Sequence, residues 1–309
     1  MVNVVAAVRA ILHGVAKLAG LTPQKVEIET GTIINIWVPK QTVVNNDHEW
    51  KKPNKPVVVL AHPFSADGIT MWVFQAVALA RDYAVYVPDF LFFGGSTTSS
   101  TQRTALFQAE CLCRCLRKVG VERCTVVGLS YGGMVAFKMA RLDPDLVKAM
   151  VVSSTVIELT ESISNAWLPR HGFASWSELL LPRTPEGVKV LFTVGTHKLP
   201  WLPHFFFKDY LEAMFDHRKE QAELLEALVV SDKDSTVPDY PQRIYFLWAD
   251  DDKIFSLELA NSMKKQLGEK ASLQYIKNAG HLVQWERPCA YTSHLKKILA
   301  SIYQIKKKI

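Results

Sequence analysis

The sequence predicts an α/β fold, a mostly parallel sheet of eight strands with helices on both faces and a helical segment inserted late in the chain. Three observations carry this. Short, continuous, β-branched runs alternate with helix-length patterns from residue 56 to about 155, as they do when strands are buried on both faces by crossover helices. Residues 156–236 break the alternation, with helical patterns, several prolines and the aromatic stretch L-P-W-L-P-H-F-F-F (199–207). At Gln242 the strand–helix alternation resumes and runs to the last helix.

Taken in order, the chain opens with residues 1–24, an amphipathic helix. Val4, Val8, Ile11, Val15 and Leu18 form one stripe on it, Arg9, His13 and Lys17 another, and no acidic residue precedes Glu27. The interrupting charges argue against a membrane span, and the lack of a basic stretch ahead of the apolar one argues against a secretory signal. Three roles stay open for this helix: packing on the protein's own body, peripheral contact with a membrane through residues 1–20, and organelle targeting. Strands are expected at Lys25–Thr30 and Ile33–Pro39, then a polar loop over 41–55. Next come strand Pro56–Ala61, helix Thr70–Arg81, strand Tyr83–Asp89, helix Thr101–Val119, strand Cys124–Leu129, helix Met134–Leu142 and strand Val147–Ser153. Residues 156–236 read as a helical cap without clear strands, with helices at Phe207–Phe215 and Arg218–Val229. The strand from Gln242 to Trp248, helix Leu257–Leu267, strand Leu273–Ile276 and helix Cys289–Ile302 complete a core made of 25–155 and 237–309.

Composition narrows the function classes. A net charge of +6 over 309 residues is modest, and Lys and Arg are scattered apart from Lys306-Lys307-Lys308, so no nucleic-acid groove is indicated and the tail reads as solvated. The five cysteines include no C-x-x-C pair, which makes zinc or dithiol redox chemistry a poor fit and points to reduced thiols in a cytoplasmic setting. Three aspartates stand together in L-W-A-D-D-D-K-I-F (247–255). A calcium loop needs acids at alternating positions and a glycine turn, and this run offers neither.

The chemistry resides in V-V-G-L-S-Y-G-G (126–133), where Gly128, Ser130 and Gly132 fit G-x-S-x-G between a predicted strand and a predicted helix. A serine on so tight a turn projects from the sheet, and side chains two residues before and after it would collide. A serine hydroxyl is a weak nucleophile that needs a base, and the base needs an acid to orient it. The expected chain order for such a turn is Ser, then Asp or Glu, then His. His281, in the loop after the last strand, sits at the same sheet edge as Ser130 and fits the base. Glu158 is an alternative acid to the aspartate run.

Together, A-H-P-F-S (61–65), P-D-F-L-F-F-G-G-S (88–96), V-V-G-L-S-Y-G-G (126–133), L-W-A-D-D-D-K-I-F (247–255) and A-G-H-L-V-Q-W-E-R-P (279–288) resemble the α/β-hydrolase superfamily. The likeness is to its capped serine hydrolases, such as plant α/β-hydrolases and monoacylglycerol-lipase-like enzymes. The resemblance implies a triad of Ser130, Asp252 and His281, with Asp252 at the last acid place of the family's W-G-x-x-D pattern and Asp250 and Asp251 left as a solvated turn. It implies an oxyanion hole from the backbone N–H groups of Phe64 and Tyr131. Pro63 stands where glycine is usual, but the donor is the next residue. His62 is expected to brace that loop, Asp89 to hold neighbouring loops, and Phe92, Phe93 and Phe205–Phe207 to be either pocket wall or plain core. No metal or organic cofactor is implied. The expected activity is hydrolysis of a lipophilic carboxylic ester, an acylglycerol or a specialised-metabolite ester. Two alternatives remain: C–C hydrolase, lyase or perhydrolase chemistry on the same triad, and a slow or non-catalytic receptor on the same scaffold. Epoxide hydrolases and dehalogenases of the superfamily carry Asp at the nucleophile position, where this chain has Ser130.

Overall fold

A computed structural model describes residues 3–44 and 49–304. The tail lysines 306–308 and part of the polar loop, 45–48, lie outside the described residues. The main sheet runs β1-β2-β4-β3-β6-β7-β10-β11, with strands at Leu21–Glu29 (β1), Thr32–Pro39 (β2), Val57–Ala61 (β3), Ala84–Pro88 (β4), Cys124–Leu129 (β6), Val147–Ser153 (β7), Arg243–Ala249 (β10) and Ala271–Ile276 (β11). From β4 to β11 every pairing is parallel, while β1 and β2 join antiparallel. A two-residue strand, Thr97–Thr98 (β5), adds a short ninth partner beside β2.

The parallel strands are apolar on both faces because both are covered. Val57, Val59 and Ala61 of β3 join one core layer, and Val58 and Leu60 the other. The first layer is closed by α3 (Ala105–Lys118), α4 (Tyr131–Leu142) and α10 (Leu257–Leu267). The second is closed by α1 (Val4–Leu18), α2 (Gly68–Ala80) and α11 (Pro288–Tyr303). Helix starts fall where capping side chains sit. Asp67 accepts the Thr70 amide at 2.8 Å to open α2, and Thr104 accepts that of Phe107 at 3.1 Å to open α3. Strand β1 begins four residues before the expected Lys25 and includes Pro23, which an edge strand tolerates.

The segment between β7 and β10 holds α5 (Glu161–Trp167), α6 (Trp176–Leu180), α7 (Pro185–Gly195), α8 (His204–Met214) and α9 (Arg218–Glu226). It also holds two strands not expected from sequence, Leu159–Thr160 (β8) and Val229–Val230 (β9), which pair in parallel across its two ends. Two residues each leave no periodicity to detect. Burial pushes the thiols of Cys111 and Cys113 up to about 12, so these buried cysteines stay protonated at neutral pH.

Helix α1 packs inward through the side opposite its predicted apolar stripe. Val5 and Ala16 are buried, Arg9 Nε lies 2.9 Å from Asp67 Oδ2, and His13 meets the ring of Trp37. Val8, Ile11, Val15 and Leu18 face outward, with Leu18 91% and Ile11 65% exposed. No described helix is long and apolar enough to cross a membrane.

Candidate active site

Ser130 follows β6 directly and is the residue from which α4 starts. Its φ is 53°, a left-handed value for a non-glycine residue that costs on the order of 1–3 kcal/mol. The surrounding structure enforces it. The Ser130 amide donates to Ser153 O of β7 at 3.0 Å, and its carbonyl accepts Thr155 Oγ1 at 2.7 Å. A Cβ on Gly128 would lie 2.5 Å from Gly132 O, and one on Gly132 would lie 2.2 Å from Ala61 O. The glycines of the motif are therefore required by backbone crowding between β3, β6 and the first turn of α4.

Across the same sheet edge, the loops after β10 and β11 bring Asp252 and His281 together. His281 Nδ1 lies 3.1 Å from Asp252 Oδ1 and 3.2 Å from Oδ2. Asp252 Oδ1 also accepts the amides of Ile254 (2.9 Å) and Phe255 (3.0 Å), and its side chain is fully buried. Three donors thus converge on one fully buried carboxylate, where each is worth more than at the surface. With Nδ1 donating to Asp252, the His281 Nε2 is left as an acceptor. Ser130, His281 and Phe64 share the walls of two adjoining cavities.

The loop after β3 carries Phe64. His62, fully buried at its base, has Nδ1 2.7 Å from Pro63 O, while its Nε2 accepts the Phe90 amide at 2.9 Å. These partners set the tautomer, with Nδ1 the donor. Burial drives the imidazole down to about 4, so it is neutral at pH 7. The bond to Pro63 O fixes the Pro63–Phe64 peptide. In a trans peptide the N–H points opposite to the carbonyl, so the Phe64 N–H is turned away from His62. Proline at 63 is compatible with this arrangement because it contributes only the carbonyl. Tyr131, whose N–H is the first of α4 and has no acceptor within the helix, stacks edge-on against Phe64 and Phe90.

The other candidates fall outside this constellation. The Glu158 carboxylate is engaged by Lys138. Asp89 Oδ1 accepts the Gly68 amide and Oδ2 accepts Asn35 Nδ2 and the Gly95 amide, joining three segments, while burial holds its pKa up at about 6. Phe93 packs on Phe64 and Phe92 under Arg103, and neither borders the cavities at Ser130, whereas Phe206 does. Among the described residues no group of three or more His, Cys, Asp or Glu side chains is placed to hold a metal.

Sequence reasoning missed how the inserted segment is tied to the site. Asp251 is not a plain solvated turn residue: its Oδ2 lies 2.7 Å from His197 Nδ1 of the insertion. Glu286, in the W-E-R-P stretch, accepts the amides of His197 (2.9 Å) and of Gly280 (2.6 Å), the residue just before His281. Gly280 has no room for a side chain, since a Cβ would lie 2.5 Å from His197 N. Tyr210 OH donates to Ser65 O at 2.7 Å, and Ser65 Oγ to Leu180 O at 2.6 Å, fastening the Phe64 loop as well. The only sequence signal for Glu286 was its place in a recognisable stretch, which assigns it no partner.

A cavity of about 750 Å³ opens beside Ser130, walled largely by Leu191, Phe192, Leu202, Phe206 and Leu282 and reaching the surface at Lys198, Pro200 and Arg287. Its volume and apolar lining are those of a small-molecule site.

Comparison with known proteins places these features in context. The family profile described as alpha/beta hydrolase fold matches residues 56–288. Epoxide hydrolase 3 of Xenopus tropicalis is 23% identical over 258 residues, spanning 75% of this chain and 68% of that protein. Among solved structures, a bacterial membrane phospholipase A is similar with a TM-score of 0.78 at 22% identity, over 97% of this chain and 91% of its own. The 2-hydroxy-6-oxo-6-phenylhexa-2,4-dienoate hydrolase of Rhodococcus sp. strain RHA1 is similar with a TM-score of 0.71 at 19% identity, over 92% and 99%. At these identities the structural likeness bears on the fold alone.

Proposed function

Because the chain belongs to the α/β-hydrolase family, we propose that it is a serine hydrolase cleaving a carboxylic ester of a lipophilic small molecule, with Ser130, His281 and Asp252 as the catalytic triad. The observation that carries this is the buried His281–Asp252 pair beside the strained Ser130, on the wall of one apolar cavity. Ser130 Oγ attacks the ester carbonyl while His281 Nε2 takes its proton. Asp252 holds the imidazole in the donating tautomer and offsets its positive charge. The Phe64 and Tyr131 amides donate to the developing oxyanion, each worth about 3–4 kcal/mol of transition-state stabilisation. Collapse expels the alcohol, protonated by His281, and water then releases the acid by the same steps reversed. Residues 156–236 act as the cap that shapes the cavity and excludes water.

The test is reaction of the pure protein with a fluorophosphonate, followed by mapping of the adduct. One phosphonyl group on Ser130 is the expected result; no adduct, or an adduct on another serine, rejects the assignment.

The outward stripe of α1 belongs to the same proposal as a peripheral membrane contact. Val5, at the start of that helix, and Leu199, Pro200 and Leu202, beside the 86% exposed Trp201, line the one cavity. Residues 1–26 and 187–208 contain no Asp or Glu, which suits an anionic lipid surface. The full chain is expected to co-sediment with phosphatidylserine-containing vesicles. Ile11→Asp with Leu18→Asp should weaken this at least about tenfold, since each removes a side chain worth about 1.5–3 kcal/mol on burial. Equal binding of the double variant, or no binding by either protein, defeats this part.

A further inference from the structure

Ser130 stands between two unequal chambers. Phe64, Leu180, Ile254 and His281 border both. On one side lies the large cavity already described. On the other lies a space of only about 30 Å³, walled by Tyr131, Met134, Leu159, Trp176, Leu225, Leu228 and Phe255. One water-sized body needs roughly 10–15 Å³ by this measure, so the small chamber admits about two. None of these seven wall residues is exposed, whereas the large cavity reaches exposed Lys198, Pro200 and Arg287. Its walls are largely apolar: Trp176 Nε1 is spent on Ser164 Oγ at 3.0 Å, and the buried Tyr131 hydroxyl is the one other side-chain nitrogen or oxygen on these seven residues.

Resting on the ester-hydrolase assignment above, we infer that the small chamber is the acyl pocket and that the substrates are short-chain esters, with an acyl group of two or three carbons, of bulky lipophilic alcohols. The order of events decides which arm goes where. The ester R–CO–OR′ reacts with Ser130 to give R–CO–O–Ser130 and R′OH, the proton passing from Oγ through His281 to the alkoxide. Water then gives R–COOH and restores the serine. The alcohol must leave first and water must follow it in, so R′ occupies the large chamber, whose rim reaches exposed residues. The acyl group stays bonded to Oγ through that exchange and fits the smaller side. A long acyl chain has no room in the small chamber, and overpacking such a wall forces side chains out of their rotamers.

The experiment is a two-way substrate matrix on the purified full chain: 2-naphthyl acetate, butyrate and octanoate against ethyl acetate and ethyl octanoate. The expected result is kcat/KM for 2-naphthyl acetate at least tenfold above both 2-naphthyl octanoate and ethyl octanoate. Leu228→Ala, which enlarges the small chamber, should raise the butyrate-to-acetate ratio at least threefold. A flat profile, or a preference for ethyl octanoate, overturns the inference, and the unmodified protein alone decides this even if the variant does not fold. Ser130 labelled by a fluorophosphonate together with the wrong profile defeats only the chamber assignment. No ester turnover and no label at Ser130 defeats the hydrolase assignment beneath it.

Discussion

Ser130→Ala should lower ester hydrolysis by on the order of 10⁴–10⁶-fold while leaving the fold intact. The substitution removes only Oγ. The backbone at φ 53° is held by the Ser153 and Thr155 bonds, which do not involve that atom, and alanine meets the same steric cost there as serine. Thermal unfolding should therefore change little, within about 1 kcal/mol. A residual rate above the uncatalysed one is expected, because the Phe64 and Tyr131 amides and the cavity still bind the transition state. The measurement is kcat/KM on 2-naphthyl acetate beside a melting curve. Turnover within tenfold of the parent protein would remove Ser130 from the mechanism.

The second large effect separates the three adjacent aspartates. Asp252→Asn should reduce kcat by about 10⁴-fold. The buried Oδ1 accepts two amides and faces His281 Nδ1. A carboxamide offers an NH₂ group to this cluster of donors. Either it turns the NH₂ toward His281 and forces the wrong tautomer, or it sets it against the Ile254 and Phe255 amides. Asp250→Asn should leave kcat within a few-fold, since Asp250 is exposed and its nearest carboxylate contact is the Ala279 amide at 3.4 Å. Asp251→Asn should also stay within a few-fold, because asparagine can still accept from His197 Nδ1. Parallel kcat measurements on the three variants decide the point, and equal losses would return the run to a structural role.

The strand and helix order was legible because it rests on periodicity and turn chemistry, which act over a few residues. Val57–Ala61, Cys124–Leu129 and Val147–Ser153 read as buried strands from their own composition. The glycines flanking Ser130 read as a sharp turn for a local steric reason, now visible as the Gly128–Gly132 and Gly132–Ala61 approaches. Less legible was α1. Its apolar stripe predicts burial if that stripe seeks the core, yet the core takes Val5 and Ala16, and Arg9 turns inward because Asp67 waits there as its partner. A helical wheel ranks faces by composition and has no information about a carboxylate far along the chain.

By itself, then, the sequence determined the eight-stranded α/β architecture, the sharp turn that presents Ser130 and the sheet edge to which the loops bearing Asp252 and His281 return. Only the tertiary structure decided that Asp251 and Glu286 bind the inserted segment to the loop bearing His281, and that Ser130 borders one large chamber and one small one. The physical reason is range. Strand burial and turn strain are set by neighbours in the chain. Pairings such as His197 with Asp251, and cavity walls drawn from Met134, Trp176 and Leu228, exist only once packing has brought distant segments into contact.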